Sequence, residues 1–200
     1  MNLRLGGCVL LAVLLSVTAC RAPNPSDVSA TTQLRAADGT GLSDAVVLII
    51  RHAEKPERGQ GLSAAGKRRA KAYVEYFRDL YVDSHPLHLD YLVAAADSEN
   101  SHRPRLTLEP LSKALRLKLD LRFTHQHCED LAKELRAKEH GKHILICWRH
   151  GEMPQLLRAL GADPARLLPD AKWPEHEFGW VVQLRYDHAG HLITDEIKRN

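Results

Sequence analysis

The sequence predicts an α/β protein, a three-layer αβα sandwich with a mostly parallel central sheet, and three observations support this fold. Runs of strand length, such as AVVLII at 45–50 and ILICW at 144–148, are apolar on both faces, as in strands that helices cover on both sides. Segments with helical periodicity lie between these runs. The 200 residues, of which 44% are hydrophobic and 26% are charged, suffice for one folded domain without disulfides or metal.

The predicted elements alternate along the chain, and ordinary helix signals mark several of their ends. Ser63 can cap the first helix, Pro104 lies in the first turn of the second, and Gly161 can end the last. Strands are predicted at 45–50, 89–96 and 144–148, helices at 63–81, 104–115, 129–138 and 154–160, and a closing hairpin at 181–186 and 191–197. In such a fold, ligand sites lie at the carboxyl ends of the strands.

The N-terminal segment 1–19 has the pattern of a secretory signal. Arg4 precedes an apolar stretch, Leu5–Val17, and small residues follow it. The stretch is shorter than the about 20 residues that a transmembrane helix needs. Val17-Thr18-Ala19-Cys20 resembles a bacterial lipobox, which implies a lipid anchor in the membrane at Cys20 and a periplasm-facing location in the cell envelope. An ordinary secretory signal cleaved nearby is the alternative.

Residues 20–43 are rich in Ala, Pro, Ser, Thr, Asp and Gly and have no apolar periodicity, so they predict a flexible tether that leads to a catalytic domain at 44–200.

Two cysteines, Cys128 and Cys147, remain in that domain. In an oxidising compartment they could form a disulfide, and two buried free thiols are equally compatible with the sequence.

Charge and ligand spacing argue against two classes of function. Lys and Arg number 28 and Asp and Glu number 25, and the resulting net charge of +3 is too small and dispersed to favour nucleic-acid binding. His125, His127 and Cys128 could suggest zinc, but no second pair of residues has the matching ligand spacing. We therefore expect no metal and no cofactor.

Two of the predicted strands end in an Arg-His pair. Arg51-His52-Ala53-Glu54 follows the first strand, and Arg149-His150-Gly151-Glu152 follows the third. A neutral imidazole nitrogen can attack phosphorus near neutral pH. Guanidinium groups bind phosphoryl oxygens through charge-assisted hydrogen bonds. Both pairs lie at the carboxyl ends of their strands, where an open α/β sheet places its chemistry.

The order of these motifs resembles the histidine phosphatase superfamily, which has the phosphoglycerate mutase-like fold. Leu62–Gly66 at the start of the first helix and Ser101–Thr107 at the start of the second fall between the two Arg-His pairs, as in that family. The resemblance covers about residues 45–161. It implies that His52 is the catalytic nucleophile, and that His150 binds the transferring phosphoryl group on the opposite side.

The resemblance also implies two phosphate-binding arginines and a proton donor. Arg51 and Arg103 match the arginines, and the spacing of Arg103 to Thr107 favours Arg103 over Arg105. The segment departs from the commoner family pattern, in which a Ser-Pro pair precedes the arginine. Of the two acidic candidates for the donor, Asp120 and Glu152, the sequence favours Glu152, which lies two residues after His150. Arg149 is a further departure, because a small or neutral residue is expected there.

These implications predict a histidine-type phosphatase of the cell envelope. Its reaction would be hydrolysis of a phosphate monoester or anhydride through a phosphohistidine, and its partner would be a phosphorylated small molecule or an envelope glycan or lipid precursor. A mutase of central metabolism is disfavoured, because export would separate it from its substrates. The alternative is a catalytically weak lipoprotein that binds phosphorylated envelope components.

Overall fold

Six strands form the central sheet of residues 41–199, the part of the chain that the computed structural model describes. In chain order the strands of the protein are β1 (Val46–Arg51), β2 (Tyr81–Val82), β3 (His85–Pro86), β4 (Tyr91–Ala94), β5 (Leu119–Asp120), β6 (His143–Trp148), β7 (Trp180–Tyr186) and β8 (Leu192–Arg199). The order across the sheet is β5-β4-β6-β1-β7-β8, and β2 pairs only with β3 in a separate ribbon. The first four strands in this order are parallel to one another, and β7 pairs antiparallel with both β1 and β8, so the mostly parallel sheet is confirmed.

Helices cover both faces of this sheet. They are α1 (Ala64–Arg78), α2 (Arg103–Leu115), α3 (Cys128–Ala137), α4 (Met153–Ala159) and α5 (Pro164–Leu167), followed by a 3₁₀ turn at Pro169–Ala171. Along β1, Val47 and Ile49 face the core that contains α3 and α4, whereas Leu48 and Ile50 face the core that contains α1 and α2. The predicted three-layer sandwich is therefore confirmed.

The ends of α1 show where local signals suffice and where they fail. Ser63 Oγ accepts a hydrogen bond from the Gly66 N–H at 3.1 Å, so the predicted cap is present. The prediction that the helix continues to residue 81 is wrong, because α1 ends at Arg78. The Leu87 N–H donates to the Leu80 carbonyl at 2.8 Å, and Tyr81 pairs in the β2–β3 ribbon instead.

The folded region extends further toward the N-terminus than residue 44. Leu42 is fully buried, and the Gly41 N–H donates to the Arg136 carbonyl at 2.8 Å. A Cβ at position 41 would lie 1.9 Å from the Lys138 carbonyl oxygen, so only glycine fits this close approach. Residues 41–43 thus belong to the folded domain and not to the tether. The predicted signal, Cys20 and the remainder of the tether lie outside the described residues.

Two further findings concern the same part of the chain. Within residues 41–199, no helix combines the length and the apolar character needed to cross a membrane.

Cys128 and Cys147 are both free and buried, and they lie in the cores on opposite faces of the sheet. The structure therefore selects the two free thiols over the disulfide.

Candidate active site

The two Arg-His pairs meet at the carboxyl edge of the sheet because β1 and β6 are parallel neighbours. Arg51 is in register with Trp148, and the His52 N–H donates to the Trp148 carbonyl at 2.9 Å. The rings of His52 and His150 lie with their centroids 6.1 Å apart and their planes at 73°. The structure thus brings together the two histidines that the sequence placed at the ends of separate strands.

A cavity of about 300 Å³ opens beside these histidines. Four of its lining residues are predicted site residues, and the others come from the loop after β1 and from the segment before β7. The lining residues are Arg51, His52, Glu54, Lys55, Arg103, His150, Glu175, His176 and Phe178. The volume is sufficient for a phosphoryl group and part of its substituent.

His52 is buried and held in one tautomer. Its side chain is 4% exposed, and Nδ1 lies 2.8 Å from the carbonyl oxygen of Ala53. Because a carbonyl only accepts, Nδ1 carries the proton and the lone pair is on Nε2. Burial lowers the pKa of His52 to about 3, with a contribution from the positive charge of Arg51, although the hydrogen bond to Ala53 opposes the shift. The ring is therefore neutral near pH 7, as a nucleophile must be.

His150 has the opposite tautomer. Its Nδ1 lies 3.4 Å from Nη2 of Arg51, and a guanidinium group can only donate, so Nδ1 accepts. Burial and the charge of Arg51 both lower the pKa of His150, which favours the neutral ring. The proton is then on Nε2. One histidine thus offers a lone pair and the other an N–H donor.

Arg51 anchors the segment that closes one side of the cavity. Its Nη1 donates to the carbonyl oxygens of Pro174, Glu175 and Glu177 at 3.2, 2.5 and 3.1 Å. Its guanidinium carbon lies 3.8 Å from the centroid of the Phe178 ring, a cation–π contact. The sequence predicted only a phosphate-binding role for Arg51, whereas the structure shows that one of its terminal nitrogens is occupied by backbone carbonyls.

Arg103 is the first residue of α2 and lines the cavity. Thr107 Oγ1 donates to the Arg103 carbonyl at 2.8 Å and accepts from the Ala53 N–H at 2.9 Å. The Thr107 side chain therefore joins the start of α2 to the residue after His52. This contact gives a physical reason for the four-residue spacing between Arg103 and Thr107.

Arg105, the competing arginine, has another environment. Its Nε donates to Asp97 Oδ2 at 2.8 Å, and it also pairs with Glu109. It does not line the cavity. The geometry therefore places Arg103, and not Arg105, beside His52.

The structure does not bring either predicted proton donor into the cavity. Glu152 precedes α4, and its Oε1 lies 3.9 Å from His125 Nε2, so its carboxylate faces the loop before α3. Asp120 lies in the edge strand β5, where Arg122 and Tyr91 hydrogen-bond its carboxylate. These bonds lower the pKa of Asp120 to about 2, although burial opposes the shift. The structure therefore places Glu152 beside His125 and outside the lining of the cavity.

Two other carboxylates line the cavity, and only one of them is paired. Glu54 accepts a bidentate ion pair from Arg69, with distances of 2.8 and 3.1 Å, and this pair lowers the pKa of Glu54 although burial opposes the shift. Glu175 is exposed and forms no ion pair with any residue in the 41–199 range. Sequence reasoning missed Glu175 and His176, because they belong to no motif and lie far along the chain from the Arg-His pairs.

No group of three or more His, Cys, Asp or Glu side chains between residues 41 and 199 is arranged to hold a metal ion. His125 and Cys128 are close, but the Cys128 Sγ contacts the His125 carbonyl oxygen and not its ring. The positive charge around the cavity comes from Arg51, Arg103 and Lys55.

Comparison with known proteins identifies the fold. No family model and no curated protein matches the sequence. A phosphoglycerate mutase from Plasmodium falciparum has a similar structure, with a TM-score of 0.50 and 12% identity over 79% of this chain and 91% of that one. The fold is phosphoglycerate mutase-like. A protein assigned as an alpha-ribazole-5'-P phosphatase from Escherichia coli has a TM-score of 0.50 and 14% identity over 78% of this chain and 95% of that one.

Proposed function

We propose that this protein is a histidine-type phosphatase that hydrolyses a phosphate monoester or anhydride through a phosphohistidine at His52. The observation that carries the proposal is the pair of histidines with opposite tautomers on one cationic cavity. His52 offers a lone pair from a buried, neutral ring, and His150 offers an N–H. The phosphoglycerate mutase-like fold and the names of the two similar structures agree with phosphoryl chemistry.

The reaction has two steps. In the first, Nε2 of His52 attacks phosphorus, the bond from phosphorus to the leaving oxygen breaks, and that oxygen takes a proton. In the second, water attacks the phosphohistidine, the P–N bond breaks, and phosphate leaves while His52 regains its lone pair. Arg103 and the Nε2–H of His150 donate to the non-bridging oxygens throughout, which stabilises the charge of the transition state.

We assign the proton transfers to Glu175. It lines the cavity, and no arginine or lysine nitrogen between residues 41 and 199 forms an ion pair with its carboxylate, in contrast to Glu54, although the charges of Arg51 and Glu175 act on each other. Protonated Glu175 would donate to the leaving oxygen, and its carboxylate would then take a proton from the attacking water. Glu175→Gln should therefore slow the hydrolysis of alkyl phosphates by about 10²-fold while affecting 4-nitrophenyl phosphate much less. Equal losses on both substrates would contradict this assignment.

Trapping of the intermediate tests the function. Phosphohistidine is labile in acid and stable in base, so protein that has reacted with labelled phosphate ester and is then quenched in base should retain the label. The label should be absent from His52→Ala and unchanged in His85→Ala, which replaces an exposed histidine of the β2–β3 ribbon. Full turnover by His52→Ala would contradict the proposal. Binding of phosphate without turnover of 4-nitrophenyl phosphate would instead favour the weakly catalytic binding protein.

We further propose that the enzyme acts in the cell envelope on a phosphorylated small molecule or an envelope glycan or lipid precursor, anchored in the membrane at Cys20. This proposal rests on the secretory pattern of residues 1–19 and on the lipobox-like segment that ends in Cys20. The wild-type protein should fractionate with membranes, and Cys20→Ser should be released or remain unprocessed. Unchanged membrane attachment of the variant would contradict the anchor.

A further inference from the structure

A second cationic side chain lies at the end of β6, outside the lining of the catalytic cavity. Arg149 is the residue before His150 and is half-buried. Its Nη2 donates to Ser98 Oγ at 2.5 Å, and its Nε is buried without a hydrogen-bond partner in the part of the chain that the structure describes. The side chain therefore extends from the end of β6 toward the loop that follows β4.

The same loop positions Arg103. Ser98 and Ser101 exchange two backbone hydrogen bonds, at 3.0 and 3.2 Å, which close a tight turn. Ser101 Oγ then accepts from the Arg103 N–H at 3.3 Å. Arg149 and Arg103 are thus held by opposite ends of one turn, and their charges act on each other: after burial, the charge of Arg149 is the next cause that lowers the pKa of Arg103.

Within the described residues, no carboxylate forms an ion pair with either of these two arginines. Arg69, Arg105, Arg122, Arg166 and Arg185 all pair with carboxylates. Neither Arg103 nor Arg149 pairs with one among residues 41–199, and Arg103, like Arg149, has a buried Nε without a partner there. Two half-buried like charges without counter-ions are costly, and an anion bound between them would remove that cost.

We propose that Arg103 and Arg149 form a second anion subsite, and that the substrate is a diphosphate, a compound with two adjacent phosphoryl groups. This inference rests on the proposed function, because it assigns the first phosphoryl group to His52. Arg103 lines the cavity and would contact both groups, whereas Arg149 would hold the distal one. A single phosphate would leave the charge of Arg149 unmatched.

The positive charge of Arg149 directly precedes His150 in the chain. Its guanidinium is hydrogen-bonded to Ser98, whereas Nδ1 of His150 is occupied by Arg51. The subsite is therefore adjacent to the reacting centre without competing for His150. Loss of Arg149 should remove affinity for the second phosphoryl group and leave the two histidines in place.

Binding, measured without turnover, tests the subsite. Calorimetry on the detergent-solubilised full-length protein should show that methylenediphosphonate, which cannot be hydrolysed, binds at least about tenfold more tightly than methylphosphonate, because it gains charge-assisted hydrogen bonds. In Arg149→Gln the two affinities should agree within about threefold, and Arg149→Lys should lie between. Arg105→Gln, which removes a nearby arginine whose charge is already paired with Asp97 and Glu109, should keep the wild-type ratio.

Three results would overturn the subsite: equal affinities in the wild type, a preference that persists in Arg149→Gln, or no binding of either ligand. Circular dichroism of each variant checks whether it is folded. Because the readout is equilibrium binding, a missing phosphohistidine would contradict the proposed function and leave this result as it stands.

Discussion

The ends of β1 and β6 carry the same Arg-His pair on neighbouring parallel strands, yet the two pairs differ in burial and in partners. Arg51 and His52 are 3% and 4% exposed, whereas Arg149 and His150 are only half-buried. Arg51 binds three carbonyls of the segment before β7, whereas Arg149 binds one serine hydroxyl. The surroundings of a strand end, and not the dipeptide itself, therefore decide what each pair can do.

The two histidines likewise differ in the hydrogen-bond partners of their rings. The partner of His52 Nδ1 is a carbonyl, an acceptor, and the partner of His150 Nδ1 is a guanidinium, a donor. Since each partner fixes where the ring proton lies, the lone pair of His52 and the N–H of His150 are both on Nε2. The proposed division of labour between nucleophile and oxyanion donor follows from these two hydrogen bonds.

Removal of each imidazole ring in turn should have the largest effect on turnover. His52→Gln should reduce kcat on 4-nitrophenyl phosphate by about 10⁴-fold or more, because no nucleophile remains. His150→Gln should reduce it by about 10² to 10³-fold, as expected for the loss of one oxyanion donor, and should still form phosphohistidine slowly. Steady-state kinetics and base-quenched labelling measure the two effects. Equal losses with no label in either variant would show that the histidines do not have separate roles.

Substitution of the two arginines should affect the stability of the fold to different extents, just as substitution of the two histidines should affect the rate. Arg51→Gln leaves three carbonyl oxygens without their donor in a buried site, so the free energy of unfolding should fall by about 2 to 3 kcal/mol. Arg149→Gln should change it by less than about 1 kcal/mol, because the residue is half-buried and loses one hydrogen bond. Urea unfolding of the full chain measures both values. A larger effect at Arg149 would reverse our interpretation of the two pairs.

The sequence predicts the sheet and the histidine pair well for a physical reason. Buried parallel strands must be apolar on both faces, so β1 and β6 are visible as continuous apolar runs. Their carboxyl ends must share one edge of the sheet, so whatever follows them meets there. Those two constraints are local in sequence and need no knowledge of the loops.

The features that the sequence did not predict depend on contacts between distant segments. The segment before β7 reaches the cavity only because Arg51 binds its carbonyls, and no pattern in residues 174–178 indicates this. The direction of Glu152 depends on how α4 starts relative to the loop that carries His125. β5 has two residues, too few to show an alternating pattern. The burial of Leu42 likewise depends on the core that contains α3, and not on the residues next to Leu42 in the sequence.

The smallest expected effect is a pH dependence that separates the two histidines. The pKa of His52 is lowered to about 3 in the folded protein, against 6.5 ordinarily. As the pH falls below 6.5, the unfolded chain takes up a proton that the folded protein refuses, so His52 stabilises the fold above pH 6.5 and this contribution is lost toward pH 3.

Between pH 6.5 and pH 5, above the range in which most carboxylates titrate, His52 alone should reduce the free energy of unfolding by about 1.5 kcal/mol. His52→Asn should remove that part of the slope, and His150→Asn should remove less, because its ring is half-buried. His85→Asn, at an exposed position in the ribbon, should keep the wild-type slope. Urea unfolding at the two pH values measures all four proteins. If His52→Asn and the wild type lost the same stability between the two pH values, burial would not be what keeps the His52 ring neutral. The proposal that His52 is a neutral nucleophile would then lose this support.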